Sequence, residues 1–187
     1  MESNPSCTIS YHDLEVFESD SNKLLYMFSD KNPPKNGKIQ TSIKWGTFNG
    51  ACSTMTRKDK CPKLGFYKNI PVASDWLFWI ETLSNGGTIN YINKSLGRYR
   101  RHSNNITAHS LELSQNELDH LNTCNIILQR WPQFFSESMY CYSQRLIQSR
   151  HKLPYLKCLI KSFLISPTIK AATAGIVYIV SFRKIKL

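Results

Sequence analysis

An α/β domain with a mixed sheet, continued by a helical tail, is the fold class the sequence predicts, and three stretches predict it. An alternating run rich in β-formers lies near the start (7–17), and an amphipathic helix pattern (74–83) passes directly into strand-like residues. From residue 108 onward the apolar spacing is helical only. With 187 residues, 41% of them hydrophobic and 12% aromatic, the chain has apolar material for one domain and an appendage.

The first strand, C-T-I-S-Y-H-D-L-E-V-F from Cys7 to Phe17, follows the turn residues Asn4 and Pro5. Residues 29–38, S-D-K-N-P-P-K-N-G-K, read as a loop, because two prolines with flanking Asn and Gly continue neither a sheet nor a helix. Thr41 to Met55 is apolar and small, and Gly46 and Gly50 permit close backbone approach. The clearest helix follows Pro71: Ser74 is its expected N-cap, Trp76, Trp79, Ile80 and Leu83 recur at helical spacing, and Gly86-Gly87 stops it. Thr88–Asn93 predicts a strand and Leu96–His102 a second, separate extended piece. Leu111, Leu118, Leu121, Cys124, Leu128 and Trp131 then mark one helical face that ends at Pro132. A further helix is expected from Pro154, with Leu156, Leu159, Ile160, Phe163 and Leu164 on its apolar side and Lys157 and Lys161 opposite. The domain therefore spans 1–107 and the basic tail 108–187.

The formal net charge of +11 sits at one end. Ser143 to Leu187 holds nine Lys and Arg and no Asp or Glu, which leaves 15 basic against 13 acidic residues before it. Nucleic acid is not the expected partner, because the tail carries no RNA or DNA motif and interleaves Lys with Leu and Ile rather than with stacking aromatics. The apolar run from Ala171 to Phe182 is followed by Arg183, Lys184 and Lys186, and it is shorter than the roughly 20 residues of a membrane span. Two readings of the tail remain: peripheral docking on an anionic membrane face, or a cap over the domain's apolar flank. The six cysteines form no C-x-x-C pair, so reduced, buried thiols are expected. The first thirty residues show no basic segment followed by an apolar one, so the expected location is the cytoplasm, with the inner face of the cell membrane as the peripheral site.

Three segments carry a family resemblance. In order and spacing, G-A-C-S-T-M-T-R (Gly50–Arg57), P-V-A-S-D-W-L-F-W-I-E (Pro71–Glu81) and G-G-T-I-N-Y-I-N-K-S-L-G-R-Y-R-R-H-S-N-N-I-T (Gly86–Thr107) resemble the second half of bacterial family 2 glycosyltransferases. The resemblance covers residues 1–107 and implies the C-terminal, acceptor-side half of a GT-A (nucleotide-diphospho-sugar transferase) fold. It implies Asp75 as catalytic base, Trp76, Arg98, Arg101, Gly50 and Ser53 as donor or acceptor contacts, and His102 as a ligand to a divalent Mg or Mn ion on the donor diphosphate. The family's P-x-Y-N turn and acidic D-x-D cluster have no counterpart here, and the chain opens where the family stands just downstream of them. The expectation is a chain inactive alone, needing an N-terminal complementing half.

The residues allow this chemistry and also blander readings. An inverting transfer needs a carboxylate to take the acceptor hydroxyl's proton, and a first-turn Asp75 faces the positive end of the helix dipole; it could equally serve the helix terminus alone. Guanidinium forks suit a leaving diphosphate, but alternation puts Arg98 and Arg100 on one face and Arg101 on the other, and they could be a solvated edge with His102 packed on Trp76 or Trp79. Small residues at Gly50–Ser53 could line a sugar pocket or let Trp45 or Phe48 pack. Asp13-Leu14-Glu15 as a distorted D-x-D is disfavoured, since strand alternation explains the spacing. The leading expectation is transfer of sugar from a nucleotide-diphosphate donor to a glycan or lipid-linked acceptor in cell-surface polysaccharide synthesis. The alternative is a non-catalytic interaction module that pairs with another chain.

Overall fold

The computed structural model describes residues 1–102, 105, 115–148 and 155–180. They belong to two compact units, Met1–His109 and Ser110–Leu187.

One long strand, β1 (Cys7–Glu18), organises the first unit. Its sequence is β-branched and aromatic, and nearly every side chain is buried or half-buried, as expected of a central strand. On one edge β2 (Leu24–Met27) pairs antiparallel with Glu15–Phe17, and β3 (Thr54–Thr56) pairs antiparallel with Ile9–Tyr11. The other edge carries β4 (Thr88–Arg101), parallel along the whole of β1. The result is a mixed four-stranded sheet with helices, the α/β class expected.

Thr88–Asn93 and Leu96–His102, expected as separate pieces, form this one strand. The register steps from His12↔Ile92 to Asp13↔Ser95 to Leu14↔Gly97, so extra β4 residues are bulged out and the strand continues beyond them. The same irregularity leaves Asp13 and Leu14 both buried, which inverts the alternation of β1 at that point.

The segment between β2 and β3 holds two α-helices and, just before β3, a 3-10 turn at Ala51–Ser53. A single turn, α1 (Phe28–Lys31), forms inside the stretch read as loop, because Asp30 Oδ2 accepts the Met27 N–H at 3.0 Å before the prolines are reached. The second, α2 (Ile39–Trp45), ends where Gly46 adopts φ 74°. The helix expected after Pro71 is α3 (Ser74–Ser84). Its N-cap is Ala73, with Ser74 the first helical residue and no side-chain cap, so Ser74 does not have the role expected of it. Trp76 through Leu83 are all buried, which makes α3 a core helix rather than a one-sided one. Trp76 Nε1 donates to the Ser42 carbonyl at 2.8 Å and joins α3 to α2. Gly86 and Gly87, at φ 98° and 94°, turn the chain into β4.

The second unit is helical: α4 (Gln115–Arg130), α5 (Phe135–Gln148), α6 (Tyr155–Ile165) and α7 (Ile169–Val180). On α4 the buried face is Leu121, Cys124 and Ile127 with Asp119 and Thr123, while Leu118 and Leu128 are half-buried; Leu111 lies outside the described residues. Leu121, Leu146 and Cys158 form one core cluster, and Ile147, Leu159, Ala171 and Ala174 another. The apolar side expected on α6 is mostly outward. Cys158, Leu159 and Ser162 are buried, Ser162 Oγ donating to the Ser143 carbonyl at 2.8 Å, whereas Ile160, Phe163 and Leu164 are exposed. Small side chains let the helices approach closely, and an apolarity count does not register that. Pro154 and residues 181–187 lie outside the described residues. Among the described residues no helix is long and apolar enough to cross a membrane. All six thiols are free, and Cys52, against the expectation of burial, is exposed.

Candidate functional site

Asp75 stands in the first turn of α3, partly buried. Its Oδ1 accepts the Trp76 N–H at 2.7 Å, and among the described residues no side chain donates to the carboxylate. Burial, opposed by the hydrogen bonds of the Trp76 and Asp75 backbone N–H groups, raises its carboxyl above the ordinary aspartate value. Helix position alone suggested the reverse. A raised carboxylate with unused lone pairs is a better proton acceptor than one held strongly acidic.

Trp76 is a core residue. Its side chain is fully buried, and its one N–H donor is committed to Ser42. Gly50 and Ser53 are brought together: the Gly50 carbonyl accepts the Ser53 N–H at 3.0 Å and the Ser53 hydroxyl at 2.9 Å. A Cβ at Gly50 would lie 3.0 Å from Leu14 Cδ1, and one at Gly97 would lie 3.1 Å from Leu14 Cδ2. Leu14 is thus gripped between two glycines, and the missing side chain at Gly50 is taken up by packing.

The arginines lie along β4 and are engaged by the other strands. Arg98 sits opposite Glu15, Nε to Oε2 at 3.4 Å, donates to Asn22 Oδ1 at 3.0 Å and stacks over the Phe17 ring. Both members of the ion pair are about half exposed, so the pair contributes about 0–1 kcal/mol and opens readily. Arg101 donates to Tyr26 Oη at 3.1 Å. His102 is exposed, and its carbonyl accepts the Asn105 N–H at 3.2 Å. No hydrogen bond or ion pair among the described residues joins Asp75 to Arg98, Arg101 or His102. No group of three His, Cys, Asp or Glu side chains among the described residues is placed to hold a metal ion.

A second acidic group, Asp13, is held by several hydrogen bonds. Its carboxylate accepts the Ser29 N–H at 3.0 Å, the Ser29 hydroxyl at 2.6 Å and the Leu14 N–H at 2.8 Å. Burial pushes its pKa up, but these bonds together with Tyr91 outweigh burial and hold it below the ordinary value. Asp13 ties α1 to the bulge of β1, a structural task. Nothing in local sequence marks it, because Ser29 and Tyr91 are distant in the chain.

Comparison of the chain with family models, with curated proteins and with solved structures returns no match.

Proposed function

We propose that the first unit is the acceptor-side half of a GT-A glycosyltransferase similar to family 2. In this reading it moves a sugar from a nucleotide-diphosphate donor to a glycan or lipid-linked acceptor of cell-surface polysaccharide synthesis. The observation that carries it is Asp75: a partly buried carboxylate of raised pKa with lone pairs no side chain occupies, at the head of a rigid core helix. The acceptor hydroxyl donates its hydrogen bond to Asp75. As its oxygen forms the new bond to the anomeric carbon, the bond to the diphosphate breaks and Asp75 takes the proton. Arg98 and Arg101 swing from the sheet to the leaving diphosphate. A complementing nucleotide-binding half would hold the donor with a divalent metal that neutralises the diphosphate, and His102 would supply one ligand to it.

The partner proposed for the second unit is the anionic inner face of a membrane, with the protein cytoplasmic and peripheral; no nucleic-acid partner is proposed. Asp75→Asn, assayed with a nucleotide-binding half supplied, tests the catalytic reading. Transfer falls about 10²–10⁴-fold while donor binding is kept. The engagement of Arg98 by Glu15 and of Arg101 by Tyr26 favours a second reading, a non-catalytic module that pairs with another chain. On that reading Asp75→Asn changes nothing.

A further inference from the structure

In α6 and α7 the buried side chains are Cys158, Leu159, Ser162, Ala171 and Ala174, and most of the large apolar ones face outward. Leu164 is 76% exposed and Ile176 62%, and Ile160, Phe163 and Ile179 are exposed with them. These five belong to one surface, because all line the same open apolar cleft of about 320 Å³ between the two helices. On a helical wheel of about 100° per residue, Phe163, Leu156, Ile160 and Leu164 fall in succession on α6, and the exposed Lys157 and Lys161 follow directly at the border of that arc. On α7 the exposed apolar arc is Ile179, Ile176, Ile169 and Val180, and exposed Lys170 lies about 80° farther round, beyond Thr173. Lys161 also donates to Tyr142 Oη at 3.2 Å from its exposed position. An apolar face flanked by cations, directly on α6 and farther round on α7, fits one environment better than any other.

We infer that this face of the α6–α7 pair is the lipid-contacting surface of the protein. The pair lies in the plane of an anionic bilayer, with Leu164, Ile160, Phe163, Ile176 and Ile179 at the acyl boundary and Lys157, Lys161 and Lys170 at the level of the lipid phosphates. Charge decides in favour of lipid over a second copy. From Ser143 to Leu187 the chain has nine cations and no anion, so two such faces meeting would bring like charges together, whereas anionic headgroups neutralise them. The inference rests on the membrane partner proposed above and names its contact surface; it does not depend on glycosyl transfer.

Sedimentation of the full chain with phosphatidylcholine vesicles, with and without phosphatidylserine, tests it. The parent pellets with the anionic vesicles and is released by high salt. Lys157→Gln, Lys161→Gln and Lys170→Gln together lower the affinity about 10²-fold, at about fivefold for each basic residue. Leu164→Gln with Ile176→Gln lowers it by about tenfold or more, with circular dichroism unchanged because both positions face outward. Asp75→Asn binds like the parent. If the parent ignores anionic vesicles at low salt, the membrane partner and this surface both fall. If the parent binds and the Leu164/Ile176 variant binds equally, only the assignment of this surface falls. A dimer of the parent that disappears in the same variant makes a second copy the occupant and overturns the inference.

Discussion

Replacing Trp76 tests whether the aromatic residue after Asp75 is part of a sugar site or part of the core. Its indole is fully buried and makes the 2.8 Å bond to the Ser42 carbonyl that joins α3 to α2. Trp76→Phe keeps an aromatic ring but removes one of the two donors to that carbonyl, which retains the Gly46 N–H at 3.2 Å, so the loss is that of one hydrogen bond, about 0.5–1.5 kcal/mol. The smaller ring adds a cavity contribution, so the expected loss is about 1–3 kcal/mol, and Trp76→Ala loses about 3–5 kcal/mol. Against a domain stability of about 5–15 kcal/mol the alanine variant comes close to unfolding. Guanidinium denaturation followed by far-ultraviolet circular dichroism measures this without depending on tryptophan emission. A Trp76→Phe variant within about 0.5 kcal/mol of the parent would refute the reasoning. A variant of parental stability that loses sugar affinity would return Trp76 to the ligand role the sequence suggested.

Gly87→Ala is expected to destabilise by more than about 1–2 kcal/mol. Its φ is 94°, and an added Cβ would overlap Thr8 Oγ1 and lie 2.8 Å from the Ser6 carbonyl; a melting temperature equal to the parent's contradicts this. Asp75→Asn is expected to gain stability relative to the parent as pH rises from acid to neutral. The folded chain holds the Asp75 proton to higher pH than the unfolded chain does, so the parent loses stability as pH rises through that window, and Asn removes the loss. Denaturation at about pH 3 and about pH 7 measures the difference, and an equal gain at both contradicts the raised carboxyl.

The central strand, the core helix after Pro71 and the turn at Gly86-Gly87 were legible because each is written in local residue type. The same reading split β4, since the irregularity at Asn93–Leu96 depends on pairing with His12, Asp13 and Leu14, eighty residues away in the chain. It took α6 to bury its largest apolar residues, whereas the helix is held by Cys158, Leu159 and Ser162 and leaves Leu164 in solvent. Asp75 could be picked from its motif, but the raised carboxyl could not, because dipole and burial act in opposite directions and only the fold shows that burial dominates. Arg98 and Arg101 were placed on opposite faces by alternation. Their partners Glu15 and Tyr26 required the register of β1 with β4 and β2.

The measurement closest to the central claim is the rate of sugar transfer by the chain with a nucleotide-binding half supplied, compared between the parent and the Asp75→Asn variant across a panel of UDP-, GDP- and dTDP-sugars with Mn²⁺ or Mg²⁺. The parent is expected to transfer one of these sugars, with the rate falling on the acid side as Asp75 takes up its proton. Asp75→Asn is expected to be slower by about 10²–10⁴-fold and to lose that acid limb. Transfer by Asp75→Asn at the parental rate, or no transfer by the parent from any donor, contradicts the account.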